Sequence, residues 1–298
     1  MELHSLFATF VNDGRYLRGW SPRTVAIYQA AFDSFQKFKS GLEGQGEEGA
    51  SPRVGSVTKR EVDGWLVWMR GQERSAGGCN VHLRSMNSFL SWLYEAGHTT
   101  QKVRVRTLPN PAKPLPSFSD AEVRSLMAYK PRNVFQGRSW LLTLSLMDTG
   151  IRIDEALGLE RASVDFDNRT MTVRGKGSKQ RVVPFSLELR KHLFRFCGRT
   201  EGRFMFAARD GQKLRYRNAY RDIKRVCELA GISGGRVHPH AFRHFFAVSY
   251  IRSGGDLYRL SRILGHTSIA TTTLYLRSMT VEQVGQAHCS PLTGARAV

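Results

Sequence analysis

Only one stretch of this sequence, residues 164–184, follows the period of a β-strand. Val164-Asp165-Phe166 and Thr170-Met171-Thr172-Val173 flank Asp167-Asn168-Arg169, which reads as a hairpin. A second tight turn, Gly175-Lys176-Gly177-Ser178-Lys179, leads into a third strand, Gln180-Arg181-Val182-Val183-Pro184. One small antiparallel sheet therefore interrupts a chain whose other patterning is helical. At 298 residues the chain exceeds one typical domain and suggests two.

Residues 1–100 read as helices. Leu3, Leu6, Phe7, Phe10 and Val11 repeat at helical spacing. Ser21-Pro22 opens a second helix as N-cap and first helical residue, with Val25, Tyr28, Phe32, Phe35 and Phe38 on its apolar face. Gly41 to Gly55 is a Gly- and Glu-rich loop. Thr58 with Glu61 forms a capping-box pair, and a fourth helix over 79–96 ends at Gly97. Residues 101–117 are basic and rich in proline, which predicts an extended linker. A second domain, 118–278, starts at the cap Ser119. Its helices are expected over 138–149, from Arg152 to Leu157, and over 186–197, 216–230, 238–253, 256–264 and 268–276. A tail, 279–298, begins helix-like.

The formal net charge is +20, with basic residues spread along the whole chain. Such an excess points to a polyanion, and nucleic acid fits better than an acidic membrane, which calls for a compact basic cluster beside an apolar helix. Cys79, Cys197, Cys227 and Cys289 form no CxxC pair, so they read as idle or buried thiols rather than a zinc site or disulfide framework. The start MELHSLFATFVNDG lacks the pattern of a signal peptide. No run of about 18 apolar residues exists to span a membrane. The expected location is cytoplasmic or nucleoid-associated.

Four segments carry residues with chemical potential, and each has a bland alternative. In DTGIRIDEALGL, Arg152 and Glu155 stand at helical spacing, and an exposed pair of that kind has little energetic value. Lys176 sits in a hairpin turn, where exposed lysines are common. In HPHAFRHFF, His240 and Arg243 are three apart, and His244 follows. A histidine-rich helix start can simply satisfy backbone groups. In LGH, Gly265 is suited to end a helix in the left-handed conformation, which leaves His266 at a helix junction. Tyr275 stands nine residues later, and a lone tyrosine there would normally pack against the core.

Taken together, Arg152, Lys176, His240, Arg243, His266 and Tyr275 resemble, in order and spacing, the tyrosine recombinase or phage integrase family, closest to its compact Xer and transposon-integrase types. The matching segments are TGIRIDEALGL, GKGSKQRVVP, HPHAFRH, LGH and Tyr275. The helical N-terminal region is similar to the family's core-binding domain. The resemblance implies a mainly α fold with a small antiparallel β-sheet: a helical core-binding domain and a mixed α/β catalytic domain forming a clamp around DNA. Phe242 departs from the family's usual Leu, and Ile153-Asp154 from a commoner pairing with Ser or Gly; both should alter packing only.

The implied reaction is site-specific recombination through a 3′-phosphotyrosyl intermediate, in integration, excision or resolution. Tyr275 would be the nucleophile. Its phenol has an ordinary pKa of about 10 and needs help to attack. Arg152 and Arg243 would clamp the phosphate, because a guanidinium fork holds two oxygens and keeps its proton. His266 would add a hydrogen bond, His240 would take the phenolic proton, and Lys176 would protonate the leaving oxygen. Glu155 would orient Arg152 or a neighbour. No metal or nucleotide cofactor is expected. The implied partners are double-stranded DNA at paired sites and three further copies in a tetramer, with an accessory or partner recombinase left open. Val281 and Val284 in the tail would anchor the contact between subunits. A non-catalytic DNA-binding protein on the same fold, a type IB topoisomerase and a basic RNA-binding module are the alternatives.

Overall fold

A computed structural model describes residues 2–43, 57–110, 118–175, 179–232, 234, 237–266 and 268–275. Lys176, the tail 279–298 with Val281, Val284 and Cys289, residues 111–117 of the expected linker and residues 44–56 lie outside the described residues. The chain divides into two compact units, Met1–Ala112 and Lys113–Val298.

The first unit holds α1 (Leu3–Tyr16), α2 (Pro22–Glu43), α3 (Lys59–Gly71) and α4 (Ala76–Glu95). The starts of α2, α3 and α4 follow local capping. Ser21 Oγ accepts from Thr24 N, Thr58 and Glu61 form a reciprocal box, and Ser75 accepts from Gly78 N. The core is aromatic: Phe7 stacks on Phe32 at 3.9 Å, and both meet Phe89 edge-on. The segment after α4, expected to be a linker, is docked for much of its length. Asn87 donates to Val105 O and accepts from Val105 N, and Asn80 pairs in the same way with Leu108. Each amide side chain acts as a substitute strand, so the backbone there is satisfied without a sheet.

The second unit contains α5 (Asp120–Ala128), α6 (Val134–Thr149), α7 (Ile153–Leu157), β1 (Val164–Asp165), β2 (Thr170–Arg174), β3 (Gln180–Pro184), α8 (Leu187–Cys197), α9 (Tyr216–Leu229), α10 (Pro239–Arg252), α11 (Leu257–Leu264) and α12 (Ile269–Thr273). The three strands are antiparallel in the order β1-β2-β3, with Met171 opposite both Val164 and Val183. Helix α6 is central and buried along most of its length. Its Thr143, Ser145 and Thr149 hydroxyls donate to carbonyls four residues back, which satisfies them inside the core. Phe242 is fully buried and stacks on Phe118 at 4.9 Å.

Two helix ends position the candidate residues. Helix α6 stops at Gly150 with φ 61°, where an added Cβ would lie 2.4 Å from the Phe246 ring. Helix α12 is shorter than the expected 268–276. Its Thr271-Thr272-Thr273 run is β-branched and propagates a helix poorly. Tyr275 N bonds Thr272 O at 3.1 Å, closing a tighter turn just beyond the helix. Tyr275 packs there on a small satellite cluster of Ala247, Ile251, Leu260 and Leu264. Among the described residues, no helix is long and apolar enough to cross a membrane.

Candidate active site

The site forms around Arg243. This residue lies on α10, next to the buried Phe242, and is 5% exposed. Its Nη1 donates to Gly150 O at 2.8 Å and its Nη2 to Leu264 O at 2.7 Å. Those carbonyls belong to the C-terminal ends of α6 and α11, each closed by a glycine with positive φ. Unsatisfied carbonyls and negative dipole ends gather there, and a cation answers both. Burial lowers the Arg243 pKa, while Tyr275 and Glu155 act to raise it. A guanidinium keeps its proton under such conditions.

His266 begins the turn after Gly265. Its Nε2 lies 2.9 Å from Arg243 Nη2, and its Nδ1 lies 2.8 Å from Thr272 Oγ1. Arginine has no acceptor, so Nε2 must accept, and the ring proton of the neutral imidazole sits on Nδ1 facing Thr272. Burial and the charges of Arg243, Arg152 and Arg181 push the His266 pKa down to about 4.

Tyr275 meets this group directly. Its hydroxyl hydrogen-bonds with Arg243, and its ring lies nearly parallel to His266 at 6.1 Å between centroids. The His244 ring stands edge-on to Tyr275 at 5.5 Å. His244 is itself buried, and burial lowers its pKa, so it serves as a neutral wall behind the phenol.

Arg152 and Glu155 complete the set. Glu155 is not a surface partner: its side chain is 3% exposed, whereas Arg152 is 42% exposed. Glu155 Oε2 accepts from the Arg152 backbone N at 2.8 Å, and Oε1 from Arg152 Nη1 at 3.0 Å. Arg181 on β3 binds the same carboxylate with both Nη atoms, at 2.7 and 2.8 Å. Burial alone would raise the Glu155 pKa, but the bonds from Arg181 and Arg152 outweigh it and hold the carboxylate below its ordinary range. Arg152 is therefore held by its base while its outer face stays open to solvent.

Of the residues expected from sequence, Arg152, Glu155, Arg243, His266 and Tyr275 converge. His240 is exposed on the first turn of α10, three positions before the buried Arg243. Lys176 lies outside the described residues. The hairpin base nonetheless touches the site, since an added Cβ on Gly175 would stand 3.3 Å from Glu155 Oε1. Sequence reasoning missed Arg181 and Thr272. For Arg181 a signal existed: alternation along β3 puts it on the same inward side as buried Val183, and a charge there demands a partner. Among the described residues, no three His, Cys, Asp or Glu side chains stand close enough to hold a metal ion. A cavity of about 420 Å³ lies elsewhere, where Asn133, the N-cap of α6, and Arg138 of α6 face Asn218 and Arg225 of α9. None of the convergent residues lines it.

Comparisons with known proteins show the family and the fold. Residues 117–281, more than half of the chain, match the model of the phage integrase family. The chain is 30% identical over 287 residues to the tyrosine recombinase XerC of Oceanobacillus iheyensis, covering 92% of each. It is 29% identical to the tyrosine recombinase XerA of Pyrococcus furiosus, over 93% of this chain and 89% of that protein. In fold it is similar to the Tn1549 transposon integrase solved in complex with transposon right end DNA. That match has a TM-score of 0.74 at 18% identity, over 96% of this chain and 98% of the other.

Proposed function

The chain belongs to the phage integrase family of tyrosine recombinases, and from that premise we propose how its own residues break and rejoin DNA. The observation that carries the reading is the meeting of the Tyr275 hydroxyl with Arg243, beside His266 and Arg152. A scissile phosphate entering over Arg152 and Arg243 meets two cations already in position, which favours the charge that builds as phosphorus becomes five-coordinate. The Tyr275 oxygen attacks phosphorus. A bond forms between them, the bond to the 5′ oxygen breaks, and the strand stays joined to the protein through its 3′ phosphate. The phenolic proton passes to His240 or through it to solvent, and Lys176 returns a proton to the leaving 5′ oxygen. Attack by a 5′ hydroxyl on the phosphotyrosine reverses these steps and seals the strand. Bond energy is conserved throughout.

His266 enters this scheme with a condition. In the free chain its Nε2 accepts from Arg243. To donate to a phosphate it must gain a proton, and an incoming phosphate supplies the negative charge that raises its proton affinity. The net charge of +20 suits duplex DNA as the substrate, which fits a cytoplasmic, nucleoid-associated location. We read residues 1–100 as the core-binding domain and 118–278 as the catalytic domain. Strand exchange needs two duplexes, so a tetramer on paired sites is the assembly we propose, with the tail 279–298 bridging subunits through Val281 and Val284. Deletion of the tail should then abolish synapsis while leaving single-site binding.

A nicked duplex that traps the intermediate tests the central claim. The chain should become covalently attached to the 3′ end, and Tyr275→Phe should not. DNA binding with no adduct from the unaltered chain would favour a non-catalytic DNA-binding protein instead.

A further inference from the structure

Three separate segments of the second unit meet on one guanidinium. Arg181 leaves β3 at the base of the hairpin that carries Lys176. Its two Nη atoms take both oxygens of Glu155, and its Nε donates to Ile263 O at 2.6 Å in the last turn of α11. The side chain is 14% exposed. It also runs against Gly265, where an added Cβ would stand 3.0 Å from Arg181 Cδ and Nε. Each Glu155 oxygen bridges one donor of Arg181 and one of Arg152. Through that carboxylate Arg181 reaches Arg152, and through Ile263 it reaches the turn that presents His266.

We propose that Arg181 is a positioning residue that fixes the hairpin base, the Arg152 clamp and the His266 turn relative to one another. The proposal rests on the recombinase reading. The bonds of Arg181 run to Glu155 and to Ile263 O, so it acts through its neighbours. Stability is a poor reason for the arrangement, since burying an ion pair costs desolvation that a packed apolar group would avoid. Geometry is a better one. A planar fork with a third donor fixes direction at three acceptors, and a lysine's single point charge cannot. Small displacements of groups that contact a reacting phosphate cost large factors in rate.

The charge of Arg181 has its own readout. His266 faces Arg243 from α10, Arg152 from the start of α7, Arg181 from β3, and Thr272 and Tyr275 from α12 and the turn after it; Glu155 is the nearby acid. Loss of one of the three cations should raise the proton affinity of His266, whereas lysine in its place should preserve it.

The test uses the full chain with Arg181→Lys and Arg181→Ala. Covalent adduct formation on the nicked duplex is measured in single turnover over a range of protein concentrations and pH values. Thermal melting and a ring-nitrogen titration of His266, assigned with His266→Gln, accompany it. Arg181→Lys should slow the step at saturation about 10- to 100-fold while leaving the half-saturating concentration within about twofold. Its His266 titration should stay in place. Arg181→Ala should slow the step as much or more and move the His266 titration to higher pH. Wild-type rates at saturation in the lysine variant would overturn the proposal. So would a loss that only tracks melting or DNA binding, or an unmoved His266 titration in the alanine variant. An unaltered chain that forms no adduct would overturn the recombinase reading, and this proposal with it.

Discussion

Arg243 and Tyr275 touch one another, yet they are held in opposite ways. Arg243 stands on a 14-residue helix, beside a residue with no exposure, and binds the ends of two other helices. Tyr275 comes after a five-residue helix, rests on a four-residue satellite cluster, and has Ile269 and Leu274 about half exposed nearby. The proposed clamp is thus part of the core, and the proposed nucleophile is an appendage to it. That division suits the chemistry. Electrostatic stabilisation works best when its groups need no reorganisation. In the role proposed for it, attack and then carriage of a DNA strand, Tyr275 benefits from the less protected end of the stability range.

Substitutions can break the contrast from either side. The largest effect is expected for Arg243→Ala, which removes a clamp and leaves two buried carbonyls unpaired. Adduct formation should fall by about 10³-fold or more, and denaturant unfolding should show a loss of about 3 kcal/mol. Tyr275→Phe should abolish the adduct while changing unfolding free energy by about 1 kcal/mol or less. A large stability loss in Tyr275→Phe would erase the distinction between clamp and appendage. Gly265→Ala falls between the two. Its φ of 67° and its closeness to Arg181 predict about 1–3 kcal/mol of strain and slower cleavage, visible as a lower denaturation midpoint and a reduced single-turnover rate.

The last effect is a pH dependence. His266 titrates at about 4 in the folded chain and at its ordinary 6.5 when unfolded. Between those values the unfolded chain binds a proton that the folded chain refuses, so stability should fall as pH drops from 6.5 toward 4. Burial lowers His244 in the same direction. Unfolding measured at several pH values should show a shallower decline in His266→Gln. An identical slope would mean that His266 is not held neutral.

Much of the fold and site is legible in the sequence alone. Capping pairs such as Thr58 with Glu61 and Ser119 with Glu122 are local, and both form. The order Arg152, Arg243, His266, Tyr275 is readable because each lies in a segment with its own pattern. Contacts across long stretches of chain are not. Arg181 meets Glu155 from 26 residues away and Ile263 from 82, and no spacing rule spans such gaps. Glu155 looks like half of a surface pair because helical spacing to Arg152 says nothing of what covers the other side. The docking of residues 101–108 is hidden for a similar reason: Asn80 and Asn87 look like ordinary polar helix positions until the backbone they pair with is beside them.

The two glycine-ended helices carry one more consequence, a matter of rotational phase. Arg243 reads the terminal carbonyls of α6 and α11, and a helix presents a given carbonyl in only one direction. One residue added inside either helix would turn that carbonyl by about 100° about the helix axis. The lengths of α6 and α11 are therefore fixed by Arg243 at their far ends, and a single insertion near the start of either helix would point its anchor elsewhere.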